Sequence, residues 1–138
     1  MSVSEKKDQT NQSGKRPLSP HLQIYKPQTT SALSILHRIT GVGLSFALLV
    51  VACWLWIVAF DSEAYETFVT YMNSIVGKIF LFGIGAAVSY HICTGVRHLF
   101  LDMGYGYDKE VVKKTSLLII AASAALTLIV WALGLGYI

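Results

Sequence analysis

From Ile79 to Val96 the chain runs for 18 residues without an Asp, Glu, Lys or Arg, and this stretch restricts the possible folds more than any other feature. A segment of that length and polarity reads as a membrane-crossing helix. Two further apolar stretches accompany it, so the reading is an all-α membrane protein with three transmembrane helices at about 31–60, 76–101 and 115–137. Composition agrees: of 138 residues, 54% are hydrophobic and only 14% charged, with the charges gathered in short stretches between the apolar ones. Residues 1–30 form a polar N-terminal segment and 31–138 the transmembrane domain.

The N-terminal segment lacks the apolar core of a secretory signal and does not read as a transit peptide. Pro17, Pro20 and Pro27 prevent it from forming one long helix and favour an extended path along the membrane surface. Asp61 to Asn73 is an acidic, polar connection with interfacial aromatics, and Asp102 to Lys114 is a second connection in which Gly104 and Gly106 break the helix. Lysine and arginine concentrate in the N-terminal segment and the second connection. The positive-inside rule puts both on the cytoplasmic or matrix side of a bacterial inner membrane or a mitochondrial inner membrane, with Asp61 to Asn73 outside. The net charge of +3 follows from this bias, and nothing in it calls for a nucleic acid. Cys53 and Cys93 fall within spans and read as free thiols, and no internal repeat is evident.

An imidazole inside an apolar span needs a partner, and His91 is such a group. His98 lies two turns along, about 20° out of line and about 10 Å further up the axis. Gly83, Ala87, His91 and Gly95 recur every fourth residue, clearing a strip for another helix or for a flat bulky body such as a haem. Two readings of His91 stay open from the residues themselves: a hydrogen bond across a helix interface, or an axial haem ligand. Arg97 and His98 near the membrane surface suit haem propionates and favour the second. Counted from Asp102, His91 lies about 16 Å deep, near the middle of the hydrocarbon core. His37 and His98 are expected to be shallower, leaving no second histidine of this chain at that level.

Ser34 and Arg38 share a face at the start of the first span, while His37 points away from it. An isolated Arg38 either snorkels to lipid headgroups or, paired with the Ser34 hydroxyl, offers donors to the carbonyls of a quinone headgroup. The chain has no GxGxxG fingerprint, and two cysteines cannot hold an iron–sulfur cluster, so it carries no dehydrogenase chemistry and no catalytic residue of its own.

Three blocks of residues together resemble one family: Arg16-Pro17-Leu18-Ser19-Pro20-His21-Leu22-Gln23-Ile24-Tyr25, then Ser34-Ile35-Leu36-His37-Arg38-Ile39-Thr40-Gly41, then His91-x-x-x-Gly95-x-Arg97-His98-Leu99-x-x-Asp102. They resemble the cytochrome b-type large membrane-anchor subunit of succinate dehydrogenase, respiratory complex II. The resemblance runs from about Arg16 to Asp102; the third span contributes hydropathy only. It implies that His91 is an axial ligand of haem b, that His37, Arg38 and His98 lie near the propionates, and that Ser34 and Arg38 contact ubiquinone. It also implies the partners: a flavoprotein subunit, an iron–sulfur subunit, and a second small anchor subunit that completes the helical bundle and supplies the other haem ligand. The alternatives are a purely structural anchor and a haem subunit of another quinone-linked respiratory enzyme.

Overall fold

The structure, a computed structural model, describes residues 28–135. The Arg16 to Tyr25 block, the three prolines and Tyr137 lie outside the described residues. Within them the chain is all α-helical, in four helices: α1 (Thr29–Phe60), α2 (Ser62–Asn73), α3 (Ile75–Asp102) and α4 (Lys109–Leu135). α1, α3 and α4 are each long and apolar enough to cross a membrane. Because successive spans run antiparallel, Gln28 and the α3–α4 connection share one face, which is rich in lysine. The α1–α3 connection forms the opposite, acidic face.

The acidic connection is not an irregular loop but the short helix α2, joined to its neighbours by single residues. Asp61 closes α1 through its N–H to the Ile57 carbonyl (2.9 Å) and opens α2 by accepting the Ala64 N–H on its carboxylate (2.9 Å). Ser74 repeats the device at α3, accepting the Gly77 N–H on its hydroxyl (3.1 Å). Polar composition hides this helix, yet Phe68, Val69 and Met72 recur at helical spacing and face α1 and α3 across a cavity of about 480 Å³.

Gly77 makes the tight α2–α3 corner possible. A Cβ at this position would lie 2.6 Å from both the Cα and the carbonyl oxygen of Met72 and would meet the Tyr71 carbonyl. Gly77→Ala is therefore expected to destabilise the protein by about 1–3 kcal/mol, the usual cost of overpacking where backbone must yield. Thermal unfolding in detergent, compared with Gly83→Ala, where nothing lies within 4 Å, checks it. Equal melting of the two variants would show that the corner adapts.

α3 ends in a Schellman motif: the Tyr105 N–H reaches the Phe100 carbonyl (3.0 Å) and the Gly104 N–H reaches the Leu101 carbonyl (2.9 Å). Gly104 takes the positive φ of +87° that the motif requires. α4 begins at Lys109, ahead of the apolar stretch that starts near Thr115. Its first turn and a half carries Lys109, Lys113 and Lys114, good helix formers whose long stems let the helix emerge past the hydrocarbon.

α3 is the central helix, in contact with each of the others, and α4 meets α1 far less than it meets α3. The seams are built from small hydroxyl side chains: Ser89 and Thr94 on α3, and Ser116, Ser123 and Thr127 on α4, are buried. Ser116 donates to the Val112 carbonyl (2.7 Å) and Thr127 to the Ser123 carbonyl (2.7 Å), so the hydroxyls are satisfied on their own helix and the backbones can approach closely. The large apolar side chains point outwards, Phe46, Leu48, Trp56, Ile79 and Leu117 among them. In water such a surface would aggregate; in a bilayer it is the solvated one.

Candidate functional site

Near the basic face, α1 and α3 interlock through their histidines. The imidazoles of His37 and His91 stack at a centroid distance of 3.9 Å with planes 11° apart, and His98 leans on His37 at 4.9 Å and 47°. The three rings form one cluster, which corrects the expected depths. α1 already starts at Thr29, so His37 is eight residues in, and the antiparallel crossing brings it level with His91.

The imidazoles of His37 and His91 are each held by a threonine of the opposite helix. Thr40 Oγ1 donates its only hydrogen to the His37 carbonyl (2.9 Å), so its 3.1 Å contact with His91 must be a bond in which His91 Nδ1–H donates. Thr94 Oγ1 likewise donates to the Tyr90 carbonyl (2.7 Å), and His37 Nδ1–H donates to it at 2.7 Å. With the threonine hydroxyls turned to these backbone carbonyls, the neutral form of each ring carries its proton on Nδ1 and its lone pair on Nε2. The adjacent glycines make room: a Cβ on Gly41 would lie 3.1 Å from His91 Cε1, and one on Gly95 3.7 Å from His37 Cε1.

This exchange rests on a short internal repeat, contrary to the expectation that the chain has none. His37-Arg38-Ile39-Thr40-Gly41 and His91-Ile92-Cys93-Thr94-Gly95 are both His-x-x-Thr-Gly. On two antiparallel helices the motif is its own complement, each copy supplying the threonine and the glycine that seat the other's histidine. The sequence signal was present but only five residues long. Tyr90 adds a further tie, its hydroxyl donating to the Leu33 carbonyl (2.9 Å).

The strip Gly83, Ala87, His91, Gly95 divides in two. Gly95 is covered by the His37 ring, whereas Gly83 has nothing within 4 Å and stays open. Arg97 and His98, expected to serve one anionic group together, diverge by about 100° as successive helical residues must. His98 joins the imidazole cluster while Arg97 is buried on the α4 side.

Ser34 and Arg38 do come together, on an open cleft of about 540 Å³ at the basic face, along with Gln28, Thr30, Tyr107 and Lys109. The last two went unrecognised because the sequence gives no sign that the α3–α4 connection folds back over the start of α1. Tyr107 is held there by its hydroxyl, which donates to the Leu101 carbonyl (2.8 Å). Two cations, the hydroxyls of Thr30, Ser31 and Ser34 and a phenol ring around an accessible space offer donors to a headgroup with carbonyl acceptors.

Three apolar spans, seams of small hydroxyl side chains and an imidazole cluster between two spans define a small polytopic helical membrane protein with a polar site near one face. Residues 12–130 match the family described as succinate dehydrogenase/fumarate reductase transmembrane subunit. The chain belongs to this family, as a cytochrome b-type membrane-anchor subunit of succinate dehydrogenase. It is similar to the succinate dehydrogenase cytochrome b556 subunit of Rickettsia felis, 44% identical over 117 residues that cover 85% of this chain and 91% of that protein. The cytochrome b556 subunit of Paracoccus denitrificans is 40% identical over 121 residues, 86% of this chain and 93% of its own length. The cytochrome b560 subunit of Reclinomonas americana is 37% identical over 121 residues, 84% of each chain.

Proposed function

We propose that this anchor subunit holds haem b jointly with a second small anchor subunit and contributes Ser34 and Arg38 to a ubiquinone-reduction site. The observation that carries the haem reading is the 3.1 Å contact between His91 Nδ1 and Thr40 Oγ1. With Nδ1–H committed to Thr40, the unprotonated Nε2 is the nitrogen presented to an iron, and a ligating imidazole anchored through its other nitrogen is the usual arrangement in metal sites. Stacking by His37 covers a face of the ring and leaves its in-plane lone pair available. The relatives' names as cytochromes b556 and b560 support the same group. When bound, haem b supplies a one-electron redox centre inside the membrane.

The residues of this chain hold, orient and screen. His91 would ligate the iron, Thr40 and Gly41 hold its ring in place, and His37, Arg38 and His98 would serve the propionates. At the cleft, Ser34 and Arg38 donate to the quinone carbonyls and Lys109 adds positive charge where the headgroup becomes negative on reduction. Electrons reach that site from an iron–sulfur subunit, fed by a flavoprotein that oxidises succinate. Purification of the tagged chain from native membranes tests the assignment. Succinate-oxidising flavoprotein, iron–sulfur protein and a b-type reduced-minus-oxidised spectrum should co-purify. A complex free of haem would leave only a structural anchor, and one without succinate oxidation would point to another quinone-linked enzyme.

We place the lysine-rich face, with Gln28 and the α3–α4 connection, in the cytoplasm or matrix. Glu63 is exposed in the first turn of α2 at the acidic face. A cysteine placed there in a chain lacking Cys53 and Cys93 should react with an impermeant maleimide from outside intact cells or mitoplasts. Reaction only after the membrane is opened would reverse the topology.

A further inference from the structure

Arg97 is the one buried charged side chain among the described residues, 8% exposed, and its Nη2 has no hydrogen-bond partner. A buried guanidinium nitrogen without a partner is unfavourable inside a membrane protein unless an acceptor meets it. The carboxylates nearest in the chain, Asp102, Asp108 and Glu110, are exposed, and none of them lines its surroundings. What does lie beside Arg97 is a cavity of about 380 Å³ between α3 and α4, walled by Cys93, Phe100, Tyr105, Val111, Leu118 and Ile119. It is distinct from the Ser34–Arg38 cleft: Val112 of α4 faces that cleft, whereas Val111 faces this cavity.

We infer that this cavity is a phospholipid site in which the headgroup phosphate pairs with Arg97 and an acyl chain lies along the apolar wall. Charge complementarity selects the anion, because the lining contains a single cation and no acid. Position selects the source. The cavity adjoins the Asp102–Asp108 end of the spans, at the level of headgroups, and its outer wall of Phe100 and Leu118 is exposed on the membrane-facing surface. The guanidinium fork binds phosphate oxygens through paired donors. Lys113 and Lys114, exposed on α4 beside the cavity-lining Thr115, attract anionic headgroups to the same end. Such a lipid would fill the space beside the α3–α4 seam and neutralise a charge that the protein leaves bare.

The test uses the assembled complex, exchanged into lipid-free detergent and followed by native mass spectrometry. Phosphatidylglycerol titrated into the wild-type complex should bind roughly tenfold or more tightly than diacylglycerol of the same chains, the difference being the charge-assisted phosphate contact. Arg97→Met should abolish that preference and Arg97→Lys should retain part of it. Should Arg97→Met fail to assemble, Leu118→Trp fills the cavity from its exposed rim with Arg97 untouched, and should lose one bound lipid. Full preference in Arg97→Met, or undiminished lipid binding in Leu118→Trp, would overturn the inference. So would inorganic phosphate competing as well as the lipid, since the site would then be a free-anion site. Loss of the b-type spectrum in Arg97→Met with lipid binding unchanged would assign the guanidinium to haem and also overturn it.

Discussion

His91→Ala should remove the low-spin b-type spectrum from the purified complex while leaving the three-span anchor in the membrane. The alanine deletes the Nε2 lone pair, and no other group among the described residues is placed to replace it. His37 is near enough, but its ring is parallel to that of His91 at 3.9 Å, so the two rings lie in separate planes and could not bind one iron from opposite sides. On the proposed function a sixth ligand would come from the companion anchor, and the chain expressed by itself should bind haem poorly. Thr40→Val should have a milder effect, lowering haem occupancy by about 10–100-fold in affinity, as loss of an anchoring hydrogen bond to a metal-ligating histidine does. Valine keeps the shape and removes the acceptor, so a change in spectrum or retention reports the tautomer and not a packing defect. A stable, fully six-coordinate spectrum from the isolated chain, or from the His91→Ala complex, would sink the assignment.

Arg38→Leu and Ser34→Ala should each slow succinate-to-quinone electron transfer while reduction of a soluble dye at the flavin stays nearly normal. Both side chains line the open cleft at the basic face, where the proposed function puts the quinone and not the dicarboxylate. A lost donor to a quinone carbonyl is worth about 1–3 kcal/mol, more towards the upper end for the charged Arg38, and thus roughly 5–100-fold in quinone requirement or turnover. Lys109→Met should act in the same direction but more weakly, since its ammonium is exposed and screened. Steady-state assays with a short-chain quinone and with the dye separate the two half-reactions. Unchanged quinone kinetics in both Arg38→Leu and Ser34→Ala would move the quinone site elsewhere.

The sequence by itself determined the class and the main contacts with the membrane. Uncharged runs as long as Ile79–Val96 have one stable form in a bilayer, so number of spans, helical fold and antiparallel order follow from hydropathy and chain continuity. It also pointed to His91, because an ionisable group at that depth is costly without a role, and to Ser34 with Arg38, because four-residue spacing puts them on one face. The α2 helix was hidden by its polar composition, since only one narrow stripe of Phe68, Val69 and Met72 touches the bundle.

Tertiary structure alone decided which partner each of these side chains meets. That His37 lies on His91, that Thr40 and Thr94 exchange places to fix both tautomers, and that Gly41 is cleared for an imidazole all depend on the register of α1 against α3, which no local pattern encodes. The same holds for Arg97 and His98: adjacent in the chain, they enter opposite seams because helical geometry turns them apart and only the placement of α4 leaves one of them buried without an acceptor. Local sequence sets the face on which a residue stands. The crossing of helices, settled by close approach of small side chains across each seam, sets what stands opposite.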